Sequence, residues 1–189
     1  MPGELGFWFH LVLAILALDF LNYALHRAMH AVPMFWRLHA LHHSDLSLDV
    51  STTVRHHPAE GIVAALFVGV SAAFLACSTF EVAVYAVLEN VVQLLGHADI
   101  RTPKGIERAV REIFVTANFH RTHHSSEQRE TDSNYGQAFA FWDKLFGTFG
   151  GYVSDKRDGI EFGLKQFRDD HAQRLDQLLL QPLFARRAD

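Results

Sequence analysis

Apolar residues dominate roughly the first hundred positions of this chain, and polar residues dominate the remainder. The run at 5–25 is nearly all apolar, and its length is close to the roughly 20 residues that a helix needs to cross a bilayer core. Shorter apolar runs at 61–76 and 82–95 predict a helical hairpin that enters and leaves the membrane on one side, tilted or shallow because each arm is short. The pattern therefore predicts an all-α fold built on integral membrane helices.

A cleaved signal peptide is the alternative interpretation of the first run. The chain starts with MPGE, which lacks the basic residues of a signal peptide, and no A-x-A cleavage site follows the run. The second arm of the hairpin carries Glu89, Asn90 and Gln93, which are expected to face protein or a cavity rather than lipid. A membrane helix followed by a hairpin is the interpretation that the sequence favours.

Charge predicts the orientation in the membrane. The N-terminus and the hairpin tip carry Glu4 and Glu81 and no Lys or Arg, whereas basic residues fill the segments that also carry the histidines. The positive-inside rule then places the N-terminus outside and the histidine-rich segments in the cytosol, as a helical cap at the membrane surface. The net charge of −4 gives no case for a nucleic-acid partner, and a single cysteine, Cys77, excludes an intrachain disulfide and a thiolate zinc site.

The chain becomes polar after His97, and we divide it into a membrane domain at 1–152 and a polar amphipathic tail at 153–189. The tail carries a leucine stripe that could lie on the membrane or pack on the cap, and ordinary packing is the expected outcome. The stripe consists of Leu175, Leu178, Leu179 and Leu183.

Thirteen histidines are the anomaly of the composition, and many of them recur at helical spacing. The segment HRAMH places His26 and His30 on one helical face, and HALHH and a later HxxHH repeat the same geometry. Neutral imidazole is the commonest metal ligand among side chains, so faces of this kind predict a metal centre enclosed by helices. Imidazole binds Zn, Cu, Fe or Ni, so the type of ligand alone does not select the metal.

Two further residues fall on the helical stripe that carries the first histidine pair. Asp19, Tyr23, His26 and His30 are spaced i, i+4, i+7 and i+11. A carboxylate inside an apolar run is costly, and Asp19 is predicted to accept a hydrogen bond from a ligand imidazole and so orient it. The alternative is a helix cap or a carboxylate that reaches the membrane surface.

Six separated blocks, HRAMH, HALHH, RHHP, LGHADIRTP, NFHRTHH and NYGQAFAFWDKLFGT, resemble in order and spacing the fatty acid hydroxylase/sterol desaturase superfamily, from about residue 19 to 148. The resemblance implies an integral-membrane enzyme with a non-haem di-iron centre in a cytosolic histidine-rich cap. Asp19 and Tyr23 match the family's D-F-x-x-Y run. His56 is left out, because the family often has an aromatic residue there. The iron ligands implied are His26, His30, His39, His42, His43, His120, His123 and His124, with His57 and His97 in the remaining histidine positions.

In one respect the chain departs from the family pattern. Members usually have another helix or hairpin before the segment that leads into the first histidine pair, and this chain begins just before that segment. The chain is therefore expected to be a minimal member or to lack an N-terminal part, which affects the substrate tunnel more than the metal centre.

The function predicted is oxidation of a lipid C–H bond. Ten histidines are too many for one tetrahedral site and suit two metals with open positions. Two irons, with O2 as co-substrate and a ferredoxin- or cytochrome-type electron donor, would hydroxylate or desaturate a fatty acyl, sterol or related lipid at the cytosolic face of the bacterial inner membrane or the endoplasmic reticulum. A non-redox metal-binding membrane protein and an inactive relative with a structural metal are the alternatives.

Overall fold

A computed structural model describes residues 4–152 and 159–186, which contain nine α-helices and no β-strand, with two isolated bridges between extended residues. The predicted all-α fold is therefore confirmed for this part of the chain. A short 3-10 helix at Val50–Val54 precedes the third α-helix. The α-helices are α1 (Glu4–Ala31), α2 (Pro33–His43), α3 (Pro58–Phe74), α4 (Thr79–His97), α5 (Lys104–Val110), α6 (Ala117–His123), α7 (Gln128–Thr131), α8 (Phe141–Phe146) and α9 (Leu175–Phe184).

Helices α1 and α4 are long and apolar enough to cross a membrane, and α3 is a shorter apolar helix. At 1.5 Å per residue the 28 residues of α1 extend about 42 Å, so this helix carries the first histidine pair beyond the apolar run. Helices α3 and α4 occupy the two arms of the predicted hairpin and are joined by a short connection, and each packs on α1. Ser78 and Glu81 make a capping box that starts α4, and Pro58 occupies the first turn of α3.

Large apolar side chains cover the outer surface of these three helices. Trp8, Leu66, Phe74 and Val87 are each more than half exposed. A continuous apolar surface of this kind is unusual for a soluble monomer and suits contact with lipid. The two long apolar helices and this surface support a membrane protein.

The C-terminal segment packs on α2. Ala185 is buried in an apolar cluster with Trp36 and Ala40, and Gln181 is 2% exposed. Most of the predicted leucine stripe is exposed, because α9 turns its Gln181 side toward the cap; the exposed members are Leu175, Leu179 and Leu183. The boundary between the two predicted units falls at 153–158, outside the described residues, and that division stays a prediction.

Candidate metal centre

Nine of the ten predicted ligands lie in two clusters of buried histidines, in each of which every member offers a ring nitrogen within 4.8 Å of the others. Helix α2 contributes to both clusters, because His39 and His43 share one face and His42 lies on another. The five-histidine cluster consists of His26, His30, His39, His43 and His123, and the four-histidine cluster consists of His42, His97, His120 and His124.

The Nε2 atoms within each cluster approach one another closely. The Nε2 atom of His39 lies 3.1 Å from that of His26 and 3.2 Å from that of His43. Three corresponding separations in the four-histidine cluster are 3.2, 3.0 and 3.1 Å. A metal with bonds of about 2.1 Å to nitrogen holds ligands at right angles about 3.0 Å apart. The spacing therefore fits nitrogens that share a metal ion.

The hydrogen bonds of the opposite ring nitrogens support this interpretation. Nδ1 of His39 lies 2.7 Å from Oε1 of Glu60, and Nδ1 of His26 lies 2.9 Å from the carbonyl oxygen of Tyr135. The Glu60 carboxylate can only accept, so Nδ1 of His39 carries the proton and this neutral ring presents a lone pair at Nε2. Nδ1 of His26 also lies 2.7 Å from the side-chain amide nitrogen of Gln137, so Tyr135 alone does not fix the tautomer of His26. The Nε2 lone pair of His39 lies 3.1 and 3.2 Å from two other ring nitrogens, which fits ligands that share a metal ion.

The two ring nitrogens of His123, another member of the five-histidine cluster, also fit a metal ligand. Its Nδ1 donates to the carbonyl of Ser133 at 2.7 Å, while its fully buried Nε2 has no hydrogen-bond partner. In the four-histidine cluster, Nδ1 of His97 donates to the carbonyl of Gln93 at 2.8 Å. A buried polar atom without a partner is costly, and a metal ion would satisfy it.

Burial keeps these imidazoles neutral. Desolvation lowers the pKa of His123 to about 3, even though its hydrogen bond to Ser133 acts in the opposite direction. Desolvation also holds the pKa values of His42, His43, His120 and His124 well below the usual value of 6.5, and neighbouring histidines add to the effect. At neutral pH the rings therefore carry the free lone pair that metal binding requires.

The structure does not bring His57 into either cluster. His57 caps the N-terminus of α3, where its Nδ1 accepts a hydrogen bond from the backbone N–H of Ala59 and its Nε2 donates to the carbonyl of Leu179 at 3.3 Å. The neighbouring His56, which the sequence analysis left out, instead stacks on His42 with ring centroids 4.2 Å apart. Both nitrogens of His57 are thus already used, and its place near the clusters is taken by His56.

Glu60 joins His56 to the five-histidine cluster. Its Oε1 lies 2.7 Å from Nδ1 of His39 and 2.9 Å from Nδ1 of His56, and the three residues form a third group that could hold an ion. Glu60 was not among the residues that the sequence analysis predicted for the site. The signal that could have identified it is a carboxylate in the first turn of a helix that begins directly after a histidine-rich segment.

Asp19 is buried, but its hydrogen-bond partners are not imidazoles. Its carboxylate accepts bonds from the backbone N–H groups of Ala138 and Phe139, from Nε1 of Trp142 and from the hydroxyl of Tyr85, at 2.9–3.2 Å. The predicted bond to a ligand imidazole is therefore absent from the bonds that this carboxylate makes in the described part of the chain. The physical reason is that the segment at 138–139 packs against this part of α1 and points two backbone N–H groups at the carboxylate.

Tyr23 also acts on this later segment. Its hydroxyl lies 2.8 Å from Oγ1 of Thr148, which donates in turn to Asp143 at 2.6 Å. The buried carboxylate of Asp143 then accepts the backbone N–H groups of Tyr135 and Gly136 at 2.8 and 2.7 Å. The chain of bonds fixes the backbone whose Tyr135 carbonyl faces His26.

The NYG part of the last motif has a steric explanation. A Cβ atom added at Gly136 would lie 2.6 Å from the carbonyl oxygen of Phe139 and 3.1 Å from the Asp143 carboxylate. Asn134 adopts a left-handed backbone conformation (φ 56°), and its side-chain amide donates to the carbonyls of Phe119 and Gly151. These residues hold the segment against α6, which carries His120 and His123.

A cavity of about 610 Å³ lies between α1, α3 and α4 and reaches both histidine clusters. From the clusters, His26, His39, His42, His97 and His120 line it. On its α3 side, Glu60 lies beside the clusters, and the other residues are small or apolar, Gly61, Ala64, Ala65 and Val68. The predicted polar residues Glu89, Asn90 and Gln93 line the α4 side, as expected for polar groups that face a cavity. The cavity therefore connects an apolar helix surface with the candidate metal centre.

Comparison with known proteins gives one family model, "Fatty acid hydroxylase", which matches residues 11–148. The chain is 34% identical to an alkylglycerol monooxygenase of Caenorhabditis elegans over 69% of this chain and 25% of that protein. It is 32% identical to an ornithine lipid hydroxylase of Rhizobium tropici over 78% of this chain and 44% of that protein. It is also 28% identical to a very-long-chain aldehyde decarbonylase of Oryza sativa subsp. indica, over 88% of this chain and 26% of that protein.

These relatives are longer than the matched region, so the chain spans between a quarter and less than half of their lengths. No solved structure matches the chain. The region that the family model matches contains the histidine motifs, because it begins before His26 and ends after His124.

Proposed function

We propose, since this chain belongs to the fatty acid hydroxylase family, that it carries the catalytic core of a membrane-bound oxidoreductase that hydroxylates a lipid C–H bond. The resemblance inferred from the histidine motifs is confirmed by this membership. The observation that carries the proposal is the contact of two buried histidine clusters with one cavity that runs between apolar helices.

Two irons are the proposed cofactor, one for each histidine cluster. When bound, they would supply the reaction of O2 with electrons that oxidises an unactivated C–H bond. The five-histidine cluster and the four-histidine cluster are the proposed ligand set, and His56 is a candidate addition. His57 is left out of this set because its two ring nitrogens cap α3 and contact α9.

The residues around the ligands orient the imidazoles. Glu60 and the carbonyls of Tyr135, Ser133 and Gln93 contact Nδ1 of four rings, so Nε2 faces the centre of each cluster. Asp19, Tyr23 and Asp143 act one step further away by fixing the backbone that presents two of these carbonyls. We propose that Asp19 and Tyr23 are positioning residues of this kind.

The cavity supplies the substrate path. Small side chains on α3 leave room for an alkyl chain beside the helix, and burial of the clusters excludes bulk water from the place of reaction. The substrate proposed is a membrane lipid, which the alkylglycerol and ornithine-lipid relatives support by their names. The basic residues beside the histidines support a cytosolic active site, where a ferredoxin- or cytochrome-type protein would deliver electrons.

The experiment that tests the proposal is incubation of purified, iron-loaded protein with membrane lipids, 18-O2 and a reduced ferredoxin or cytochrome donor. We expect one labelled oxygen atom in a lipid product. A new double bond without label would indicate a desaturase. A protein that holds two irons and consumes no oxygen with any lipid class would be an inactive relative or a metal-binding protein.

A matched pair of variants ties this reaction to the cavity. Ala65 lines the cavity, whereas its neighbour Leu66 is 64% exposed on the outer surface of α3. Ala65→Phe should block lipid oxidation and leave the metal content unchanged, while Leu66→Phe should leave both unchanged. Equal activity of the two variants would show that the lipid does not use this cavity.

A further inference from the structure

We propose that Glu89 binds the hydrogen-bond-donating group of the lipid substrate, a hydroxyl or an amine, and thereby selects a carbon close to that group for oxidation. This inference rests on the proposed function and adds the chemistry of the substrate to it. The observations that carry it are the position of Glu89 in the cavity, the one hydrogen bond that its side chain makes within the described part of the chain, from Asn22, and the contrast between the two sides of the cavity.

The first observation is a polar row that leads from the metal centre into the cavity. Glu89, Gln93 and His97 are four residues apart on one face of α4, and Asn22 and His26 are four residues apart on α1. All five residues line the cavity. Because four residues of a helix rise about 6 Å, the side chain of Asn22 lies about one turn from that of His26.

The second observation is that the side-chain amides near Glu89 on these two helices each donate to a partner within the protein. Gln93 donates to the carbonyl of Gln137 at 2.7 Å, and Asn90 donates to Ala86 on its own helix at 2.7 Å. Asn22 donates to the hydroxyl of Tyr85 at 2.9 Å and to Oε1 of Glu89 at 3.1 Å. One amide bond leaves most of the capacity of a carboxylate, which can accept about four, turned to the cavity.

The third observation is the cost of this carboxylate. Glu89 lies inside an apolar helix that is long enough to cross a membrane, where an acidic side chain is expensive and indicates function. Asn22 is 8% exposed and holds the carboxylate from α1 through one hydrogen bond. A glutamate that served only to join α1 to α4 could be replaced by a neutral residue, since Asn22 already bonds to Tyr85.

The two sides of the cavity define an amphiphilic ligand. Small and apolar residues of α3, from Gly61 to Val68, face the polar row of α1 and α4. An alkyl chain suits the first side, and a hydroxyl or ammonium group that donates to Glu89 suits the second. Because Glu89 contacts Asn22, which lies about 6 Å along α1 from His26, the carbon nearest the metals would be only a few bonds from the donor group.

The test is a binding measurement that needs no turnover. Three single-chain lipids with the same alkyl chain would carry a terminal diol, a primary amine or the O-methylated diol, which accepts hydrogen bonds but donates none. Their Kd values would be measured by competition with a fluorescent fatty-acid probe, on iron-loaded full-length protein in lipid nanodiscs. The variants are Glu89→Leu and Glu89→Gln, and the control is Val87→Leu, which alters the same helix on its exposed outer surface, away from the cavity.

We expect the wild type to prefer the diol and the amine over the O-methylated lipid. A hydrogen bond to a charged group contributes about 1.5–3 kcal/mol to binding. Glu89→Leu should therefore raise the Kd of the diol and of the amine about 10–100-fold and leave the Kd of the O-methylated lipid unchanged. Glu89→Gln should still bind the diol, because the neutral amide oxygen accepts a hydrogen bond from a hydroxyl, and should bind the charged amine more weakly. Val87→Leu should change the binding of none of the three lipids, and metal content should be equal throughout.

The proposal is overturned if the wild type does not discriminate between donor and O-methylated lipids, or if Val87→Leu and Glu89→Leu lose the discrimination equally. Its failure is distinct from failure of the proposed function. Donor-dependent binding without incorporation of 18-O would refute the proposed lipid oxidation and leave the role of Glu89 intact. Incorporation of 18-O without donor-dependent binding would refute the role of Glu89 and leave the proposed oxidation intact.

Discussion

The Oε1 atom of Glu60 lies 2.7 Å from Nδ1 of His39, and the same oxygen lies 2.9 Å from Nδ1 of His56. One buried carboxylate therefore orients a proposed ligand and a histidine at the edge of the cluster. Partners of this kind typically alter metal affinity or activity 10–100-fold when they are removed.

We predict that Glu60→Gln lowers metal affinity by about 10–100-fold, because the neutral amide removes the charge that strengthens His39 as a ligand. The measurement is metal content after dialysis against a graded series of chelator concentrations. Glu112→Gln is the control, since Glu112 is an exposed carboxylate that pairs with Lys144 away from the clusters. Equal retention of metal by both variants would contradict the role of Glu60.

The positions of the clustered histidines follow from their spacing, whereas their hydrogen-bond partners do not. His39 and His43 share a face of any α-helix, so HALHH already specifies a pair of ligands on one helix. The partners of His26 and His123 are backbone carbonyls of Tyr135 and Ser133, and every residue has such a carbonyl. Only the tertiary packing of the last motif decides which ones face the rings.

Asp19 and His57 are two residues whose partners could not be predicted from the sequence. The helical stripe correctly placed Asp19 on the inner face of α1, but two backbone N–H groups of a distant segment reached it instead of an imidazole. In RHHP the two adjacent histidines could not be distinguished by spacing. The proline that follows starts α3 and makes His57 its cap, which leaves His56 for the cluster.

We predict that each histidine cluster holds one metal independently of the other. His123→Ala and His42→Ala should each reduce the metal content of purified protein to about half, and the double variant should hold almost none. Asp19→Asn should retain both metals, because its partners lie on the 138–142 segment and not among the ligands. Full metal occupancy in the double variant would refute the assignment of ligands, whichever metal is present.

The Asp143 carboxylate is predicted to stabilise the fold of the cap. Asp143→Asn replaces one oxygen with an amide N–H, so one of the donors from Tyr135, Gly136 and Thr148 is left without an acceptor. A buried donor without an acceptor costs about 1–3 kcal/mol, which corresponds to a fall in Tm of several degrees for a chain of this size. Thr148→Val removes the hydroxyl that bonds to Tyr23 and Asp143, but it should cost less because both backbone N–H groups stay paired.

Thermal unfolding of metal-free protein in detergent measures these two changes. Asp132→Asn provides a comparison, since Asp132 is a less buried carboxylate that lies 3.4 Å from a nitrogen of His30. The prediction fails if Asp143→Asn unfolds at the wild-type temperature.

Acid should destabilise the metal-free protein. Burial lowers the pKa of His123 to about 3, whereas in the unfolded chain it is near 6.5. The unfolded state therefore binds the proton first, and the stability present above pH 6.5 is lost as the pH falls from 6.5 toward 3. Each histidine of this kind contributes a slope of about 1.4 kcal/mol per pH unit in that window.

The free energy of unfolding should thus fall between pH 7.5 and 5.5 in metal-free protein, and less steeply in His123→Gln, which has no imidazole to protonate. Urea unfolding in detergent at both pH values gives the two slopes. A stability that does not change over this range would show that the clustered rings remain accessible to protons.

The proposed topology places the N-terminus and the hairpin tip outside and the histidine clusters in the cytosol, because the basic residues accompany the histidines. Cys77 is replaced by Ser, and single cysteines are introduced at Ser51, which is exposed beside the clusters, and at Phe80, which is exposed at the start of α4. A membrane-impermeant maleimide applied to intact cells should label position 80 and should label position 51 only after permeabilisation. Labelling of position 51 in intact cells would reverse the orientation and would place the metal centre beyond the reach of cytosolic electron donors.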